Sequence, residues 1–177
     1  MNELETRIIK VDVAKIRNTL IALGAVKVKE ENQVNDIYDF EDGSLLSEKG
    51  YARIRSIDDL LNNQKLYYMA TKKLISQGSF KEMEENELQI TEKDVAERLF
   101  LSLGLVLKRS IKKYRESYNI DNSLVEIDIN DSNFCPFPYI EIETDSEENL
   151  KKVVEMLGYS LNDTTSKTIY QLIEENK

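Results

Sequence analysis

Alternation of apolar and charged side chains is the feature of this sequence that most constrains its fold. It recurs in eight segments, residues 2–11, 33–41, 49–57, 64–73, 80–90, 108–119, 123–130 and 137–144. Because successive side chains of a strand point to opposite faces, each segment is predicted to be a strand with one apolar and one charged face. Helical spacing is predicted within residues 13–25, 91–104, 145–158 and 166–175.

Charges of the same sign occur in pairs on these predicted strands. The acidic pairs are Glu3 and Glu5, Glu85 and Glu87, Glu126 and Asp128, and Glu141 and Glu143, and the basic pairs are Arg53 and Arg55, and Lys113 and Arg115. Like charges side by side repel, so a group of opposite charge is expected between the members of each pair.

Two folds would accommodate strands of this kind. An open antiparallel sheet leaves the charged face in water and covers the apolar face with helices. Eight strands can instead close into a barrel, which removes the exposed edges. The helices need an apolar surface to cover, and the apolar strand face is the large one available. We therefore predict an α+β fold, in which an eight-stranded antiparallel closed β-barrel has helices packed outside and a solvated, charged tunnel inside.

Composition limits the functions open to the chain. The 33 acidic residues outnumber the 24 basic ones, which disfavours a nucleic-acid partner. The chain has no histidine and a single cysteine, Cys135, so it offers no His/Cys zinc site, no internal disulfide and no Ser-His-Asp triad. Any metal must be held by oxygen. No stretch resembles a membrane span or a signal peptide, so we expect a cytoplasmic protein without a membrane partner.

Eight short motifs in order, from residue 3 to about residue 173, resemble those of the CYTH superfamily, the triphosphate tunnel metalloenzymes. That superfamily includes class IV adenylate cyclases, thiamine triphosphatases and inorganic triphosphatases. The motifs in this chain are ELETR, NDIYDF, YARIRS, ATKK, ENE, KYRESY, EIDIND and YIEIE. The resemblance implies a single CYTH domain over residues 1–177, a triphosphate tunnel and a small-molecule triphosphate as the partner, with a homodimer as one assembly open to the chain.

The resemblance also implies which residues bind phosphate and metal. The phosphate-binding cations would be Arg7, Arg53, Arg55, Lys73, Lys113, Arg115 and Lys167, and the metal-binding carboxylates would be Glu3, Glu5, Asp128, Glu141 and Glu143. Three further carboxylates would either bind metal or balance neighbouring cations, namely Glu85, Glu87 and Glu126. Guanidinium groups bind two phosphate oxygens at once, and ligation by oxygen alone suits Mg²⁺ or Mn²⁺. No catalytic nucleophile or base is assigned.

Two reactions and one binding role remain open. Attack by the ribose 3′-hydroxyl of ATP on the α-phosphorus would give cyclic AMP and pyrophosphate, the class IV cyclase reaction. The segment NQVNDIYDF and the compact length resemble that class more. Attack by water would make the protein an inorganic, thiamine or nucleoside triphosphatase. A non-catalytic module that binds polyphosphate or nucleotide is the third alternative.

Overall fold

The computed structural model describes residues 2–78 and 81–176, without the side chains of Asn2, Glu3 and Lys81. Its strands are β1 (Asn2–Ile9), β2 (Val26–Phe40), β3 (Gly50–Asp59), β4 (Gln64–Gln77), β5 (Lys81–Ile90), β6 (Leu105–Ile120), β7 (Ser123–Asn130) and β8 (Tyr139–Thr144). Its helices are α1 (Val13–Ala22), α2 (Ser44–Ser47), α3 (Lys93–Ser102), α4 (Glu147–Met156) and α5 (Ile169–Glu175), and a 3₁₀ turn covers Leu161–Asp163. The eight predicted strands and the four predicted helices are confirmed, and α2 is an addition.

The eight strands form one closed antiparallel barrel. Their order around the barrel is β1-β5-β4-β3-β2-β6-β7-β8, and β1 pairs with both β5 and β8 to close the ring. The predicted fold class is therefore confirmed, and the open-sheet alternative is excluded. Strand β2 begins seven positions earlier than predicted, at Val26 instead of residue 33, because its first half also pairs with β6.

The helices pack on the outer, apolar face of the barrel. Ile16 and Leu20 of α1 and Leu150 of α4 share one buried core with Ile127 and Ile140 of the barrel wall. A second core joins Phe100 of α3 to Tyr38 and Ile54, with the Tyr38 and Phe100 rings edge to face at 5.2 Å. Burying these apolar faces outside leaves the polar strand faces directed into the barrel. In the described residues, every helix is too short or too polar to cross a membrane.

Helix α5 covers one end of the barrel. Leu172 packs in a third core with Cys135, Phe137 and Tyr139. The chain just before α5 is tied to the barrel, because Arg7 donates through Nη1 to the Lys167 carbonyl at 2.9 Å. The Gln77 amide donates to the Ser166 carbonyl at 2.9 Å. Helix α5 therefore borders the opening of the barrel interior at this end.

Among the residues that the structure describes, Lys72 and Lys73 of β4 have their predicted faces inverted. Lys73 was expected on the tunnel face, but it is exposed on the outer face. Lys72 lies opposite Tyr51 and Glu85 of the two adjacent strands, and both of these side chains belong to the tunnel face. Directly paired residues share a face of the sheet, so the register places Lys72 inside and Lys73 outside.

Candidate active site

A cavity of about 480 Å³ occupies the barrel interior and extends to the end covered by α5. Its inner half is lined by charged side chains from opposite sides of the barrel, including Glu5, Arg55, Arg115 and Glu143. Its volume lies within the range of about 300–1,000 Å³ that is typical of small-molecule sites. The tunnel can therefore hold a ligand, and its charges decide which kind.

Three carboxylates crowd together at one wall of this cavity, where Glu141 and Glu143 line it and the buried Glu126 lies behind them. Glu126 of β7 and Glu141 of β8 are paired across the two strands, and Glu143 follows on β8. One carboxylate oxygen from each lies within 4.8 Å of the others. Burial and the neighbouring Glu126 and Glu141 charges raise the pKa of Glu143 to about 8, above its ordinary value of 4.5. A divalent cation would relieve this repulsion, and an all-oxygen donor set fits Mg²⁺ or Mn²⁺.

Glu5 lies beside this acidic cluster, opposite Glu143 in the pairing of β1 with β8. Its carboxylate accepts a hydrogen bond from Arg7 Nη2 at 3.0 Å. Glu3, the other predicted ligand on β1, has its side chain outside the part of the chain that the structure describes. The structure therefore brings Glu5, Glu141 and Glu143 of the predicted metal ligands to one place.

Asp128 was predicted as a metal ligand, but cations surround it instead. Arg115 donates to its carboxylate through Nε and Nη2, both at 2.6 Å, and Lys113 donates to it at 2.9 Å. These groups hold the pKa of Asp128 below its ordinary value, although burial alone would raise it. Glu126, whose role was left open, is the β7 residue in the acidic cluster. In the described residues, the cluster that could hold a metal thus includes Glu126, and Asp128 lies outside it.

Arg115 joins the acidic cluster to the basic half of the tunnel, which we define by the cavity-lining cations Arg7, Arg53, Arg55 and Lys113. Its Nη2 donates to Glu141 at 3.0 Å, and its Nη1 is in a salt bridge with Glu126. Although burial alone would lower it, Asp128 and Glu126 raise the pKa of Arg115 well above its ordinary value. A guanidinium ion that is fixed in this way carries a permanent charge at the boundary between the two clusters.

In the basic half of the tunnel, buried cations lie close to one another. Burial and the nearby Arg53 and Arg115 charges lower the pKa of Arg55 to about 10. Burial and Arg115 lower the pKa of Lys113 to about 8. A buried cation has a lowered pKa when negative charge around it is insufficient. This half of the tunnel would therefore be stabilised by a bound anion.

Two buried guanidinium groups also keep a free donor. Arg53 Nη2 donates to Glu85 and Glu87, both at 2.8 Å, and Arg7 is held by Glu5 and the Lys167 carbonyl. In the described residues, the Nε atoms of Arg7 and Arg53 have no hydrogen-bond partner. Phosphate oxygens would satisfy such donors.

Of the predicted phosphate-binding residues, the structure brings together Arg7, Arg53, Arg55, Lys113 and Arg115 around the cavity. The Lys73 side chain lies on the outer face. Lys167 is also exposed, and its Nζ binds the Glu175 carboxylate at 2.7 Å instead of facing the tunnel, because the loop before α5 turns its carbonyl inward.

Sequence reasoning missed Lys72, whose Nζ lies 2.6 Å from Glu85 on the cavity wall. It also missed Tyr139 and Arg109, which line the cavity near α5. Lys72 and Lys73 are adjacent in ATKK, so charge alternation does not indicate which of them faces the tunnel. The inward-facing partners Tyr51 and Glu85 are the signal that identifies Lys72.

A closed barrel with a carboxylate cluster and several cations in one lumen has the architecture of a triphosphate tunnel. The sequence profile of the CYTH domain matches residues 1–169. The chain therefore belongs to the CYTH family.

Solved structures share the fold along nearly the whole chain. A protein from Pyrococcus horikoshii is 24% identical, has a TM-score of 0.77, and is matched over 97% of this chain and 99% of that one. An adenylate cyclase candidate from Vibrio parahaemolyticus is 14% identical, with a TM-score of 0.77 and coverage of 98% and 97%. An adenylyl cyclase candidate from Hippeastrum with a dominant triphosphatase activity is 18% identical, with a TM-score of 0.70 and coverage of 99% and 96%. A comparison with curated protein sequences finds no significant match.

Proposed function

We propose that the protein is a divalent-metal-dependent enzyme that binds a triphosphate in its tunnel and cleaves a phosphoanhydride bond. The observation that carries this proposal is the clustering of carboxylates at one wall of a cavity whose other half is lined by cations. The pKa of Glu143 is raised on the acidic wall, whereas the pKa values of Arg55 and Lys113 are lowered in the basic half. A metal ion and a triphosphate that bind side by side would neutralise both halves.

The cations of the basic half would orient the triphosphate. Arg55 and Lys113 are cations with lowered pKa values, and Arg7 and Arg53 offer their free Nε donors. Lys72, which lines the same cavity from β4, would add a further contact. Because these side chains are already held by Glu5, Glu85, Glu87 and Asp128, they would meet the phosphates with little reorganisation.

The acidic wall would hold Mg²⁺ or Mn²⁺ through Glu126, Glu141 and Glu143, with Glu5 adjacent. When bound, such a metal supplies neutralisation of the charge that develops on the phosphate oxygens. Arg115, which touches both Glu141 and Asp128, would keep the phosphates and the carboxylates in a fixed relation.

Two nucleophiles are compatible with this arrangement. In the reaction that we place first, the ribose 3′-hydroxyl of ATP attacks the α-phosphorus, and cyclic AMP and pyrophosphate are formed. In the second, water attacks a phosphorus atom and the products are those of hydrolysis. The relative from Hippeastrum, with its dominant triphosphatase activity, supports keeping the second reaction.

Product identification tests the proposal. The protein is incubated separately with ATP, thiamine triphosphate and inorganic triphosphate, each with Mg²⁺, with Mn²⁺ or with a chelator. We expect turnover of at least one substrate that requires metal. Cyclic AMP with pyrophosphate identifies a cyclase, and orthophosphate release identifies a hydrolase. Metal-dependent binding without turnover would identify a non-catalytic module, and absence of binding would overturn the proposal.

A matched pair of variants controls for impurities in that assay. Glu143→Gln removes a carboxylate from the acidic wall, whereas Lys73→Ala changes the outer face of the same barrel. Activity that belongs to this protein should fall in Glu143→Gln and persist in Lys73→Ala. Equal activity in both would trace the turnover to a contaminant.

A further inference from the structure

The end of the cavity beside α5 differs from the interior in its apolar and aromatic walls, which stand beside the cations Lys49, Lys108 and Arg109. We call it the α5 mouth and define it by Ile37, Tyr51, Ile111, Phe134, Ile169 and Tyr170, all of which line the cavity. Phosphate oxygens gain nothing from apolar and aromatic walls, because removing charge from water without a partner is costly. A triphosphate held by the basic half would leave this space to the rest of its molecule.

Three side chains from separate elements form an aromatic cluster at the α5 mouth. Phe134 comes from the loop between β7 and β8, Tyr170 from α5 and Arg109 from β6. The Phe134 and Tyr170 rings are edge to face at 5.8 Å, and the Arg109 guanidinium lies 5.5 Å from the first ring and 5.8 Å from the second. Aromatic rings and guanidinium planes are the groups on which planar bases stack.

The cluster is held in place before any ligand binds. Leu172, two positions after Tyr170, is buried in the core below α5. The Gln77 amide and the Arg7 guanidinium secure the segment that precedes the helix. A preformed surface of this kind loses little conformational freedom on binding.

We propose that the α5 mouth binds the planar, uncharged base of a nucleoside triphosphate, with Tyr170 and Phe134 as the specificity-determining residues. This inference rests on the proposed function, since the base is placed there by the phosphates in the basic half. Lys49, Lys108 and Arg109 line the same mouth and disfavour a cationic head group such as that of thiamine. The tunnel should therefore prefer ATP to thiamine triphosphate and to inorganic triphosphate.

Binding measurements on a matched pair of variants test this inference. Calorimetry with Mg²⁺ compares a non-hydrolysable ATP analogue with inorganic triphosphate for the wild type, Tyr170→Ala and Tyr170→Phe. Loss of the ring should weaken binding of the ATP analogue about tenfold and change binding of inorganic triphosphate by less than about twofold. Tyr170→Phe keeps the ring and should behave as the wild type does.

Three results would overturn the inference. Wild-type binding of inorganic triphosphate as tight as that of the ATP analogue would mean that the mouth contributes no base contact. An equal loss of both ligands in Tyr170→Ala would mean that Tyr170 only shapes the tunnel. Wild-type protein that binds neither triphosphate would instead remove the proposed function itself, so the two failures are distinguishable. Phe134→Leu, which keeps apolar volume without a ring, repeats the test if Tyr170→Ala does not fold.

Discussion

Glu116 and Glu143 are carboxylates of one barrel wall that point to opposite faces, and their surroundings have opposite effects. Glu116 is buried outside the barrel, where Arg17 donates at 3.1 and 2.6 Å, Tyr114 at 2.9 Å and Tyr118 at 2.6 Å. Although burial alone would raise it, these donors lower the pKa of Glu116 to about 2. The pKa of Glu143, inside the tunnel, is raised to about 8.

The two carboxylates differ in whether the protein itself supplies the charges and hydrogen bonds that stabilise a buried carboxylate. On the outer face, protein groups supply the positive charge and the hydrogen bonds that a buried carboxylate needs. On the acidic wall of the tunnel, Glu126 and Glu141 add negative charge instead. A carboxylate that the protein itself satisfies stabilises the fold, whereas one that the protein crowds is suited to a ligand.

The largest expected effect is on metal binding by Glu143→Gln. Loss of a group that only supports a metal ligand can cost up to about 100-fold in metal affinity, so loss of a ligand should cost at least that. Titration calorimetry with Mn²⁺ measures the change, and Glu116→Gln is the control that should bind as the wild type does. Unchanged Mn²⁺ affinity in Glu143→Gln would remove Glu143 from the metal site.

The second effect is on stability, where Glu116→Gln is the variant expected to change and Glu143→Gln is the control. The lowered pKa of Glu116 corresponds to roughly 3 kcal/mol of stabilisation at neutral pH, of which Glu116→Gln should lose about 2 kcal/mol because the amide still accepts a hydrogen bond. Urea unfolding of metal-free protein measures the loss. Glu143→Gln should be at least as stable as the wild type, and a comparable loss there would contradict the contrast between the two faces.

The third effect distinguishes triphosphate binding by the basic half of the tunnel from metal binding by the acidic wall. Arg55→Ala removes charge-assisted bonds to phosphate worth roughly 1.5–3 kcal/mol, so triphosphate affinity should fall about ten- to a hundredfold. Affinity for Mn²⁺ without triphosphate should hardly change, because Arg55 is not in contact with the acidic cluster in the described hydrogen bonds and salt bridges. Calorimetry with each ligand alone checks this. A variant that lost metal binding and kept triphosphate binding would reverse the assignment.

The fourth effect is on pH dependence, and its sign differs between the two carboxylates. Between pH 4.5 and about 8, the folded protein holds the Glu143 proton and the unfolded chain does not, so this group lowers the free energy of unfolding as the pH rises. Glu116 stabilises the fold above pH 4.5, and that contribution is lost as the pH falls towards about 2. In a chelator, the melting temperature of Glu143→Gln should therefore rise relative to the wild type as the pH rises towards about 8, whereas Glu116→Gln should melt below the wild type above pH 4.5 and approach it as the pH falls towards about 2. Parallel curves would contradict both pKa shifts.

The smallest expected effect compares adjacent lysines on the two faces of β4. Lys72→Ala removes a tunnel cation and should weaken triphosphate binding about three- to tenfold, whereas Lys73→Ala should leave it unchanged. Calorimetry with inorganic triphosphate and Mg²⁺ measures both. A larger loss in Lys73→Ala would mean that β4 is paired in a different register.

Strands with strict alternation could be assigned to their faces from the sequence. In YIEIE, Ile140 and Ile142 are fully buried outside, and Glu141 and Glu143 line the cavity. Helix α2 could not be predicted in the same way. Its first turn depends on the buried Asp39 carboxylate, which accepts hydrogen bonds from the Leu45 and Leu46 amides, both at 2.9 Å. These hydrogen bonds join residues six and seven positions apart across a loop, so they leave no periodic pattern in the sequence.

The sequence by itself favoured a barrel that encloses the charged strand faces, because an open sheet would leave strand edges exposed and the four amphipathic helices need the apolar face. Only the tertiary structure decided which charges meet. Glu126 and Asp128 are both acidic and lie two positions apart on the same face of β7. Glu126 nevertheless lies in the carboxylate cluster, whereas Asp128 binds Arg115 and Lys113. The physical reason is strand register, since the electrostatic energy of a charge depends on its distance from neighbours on other strands.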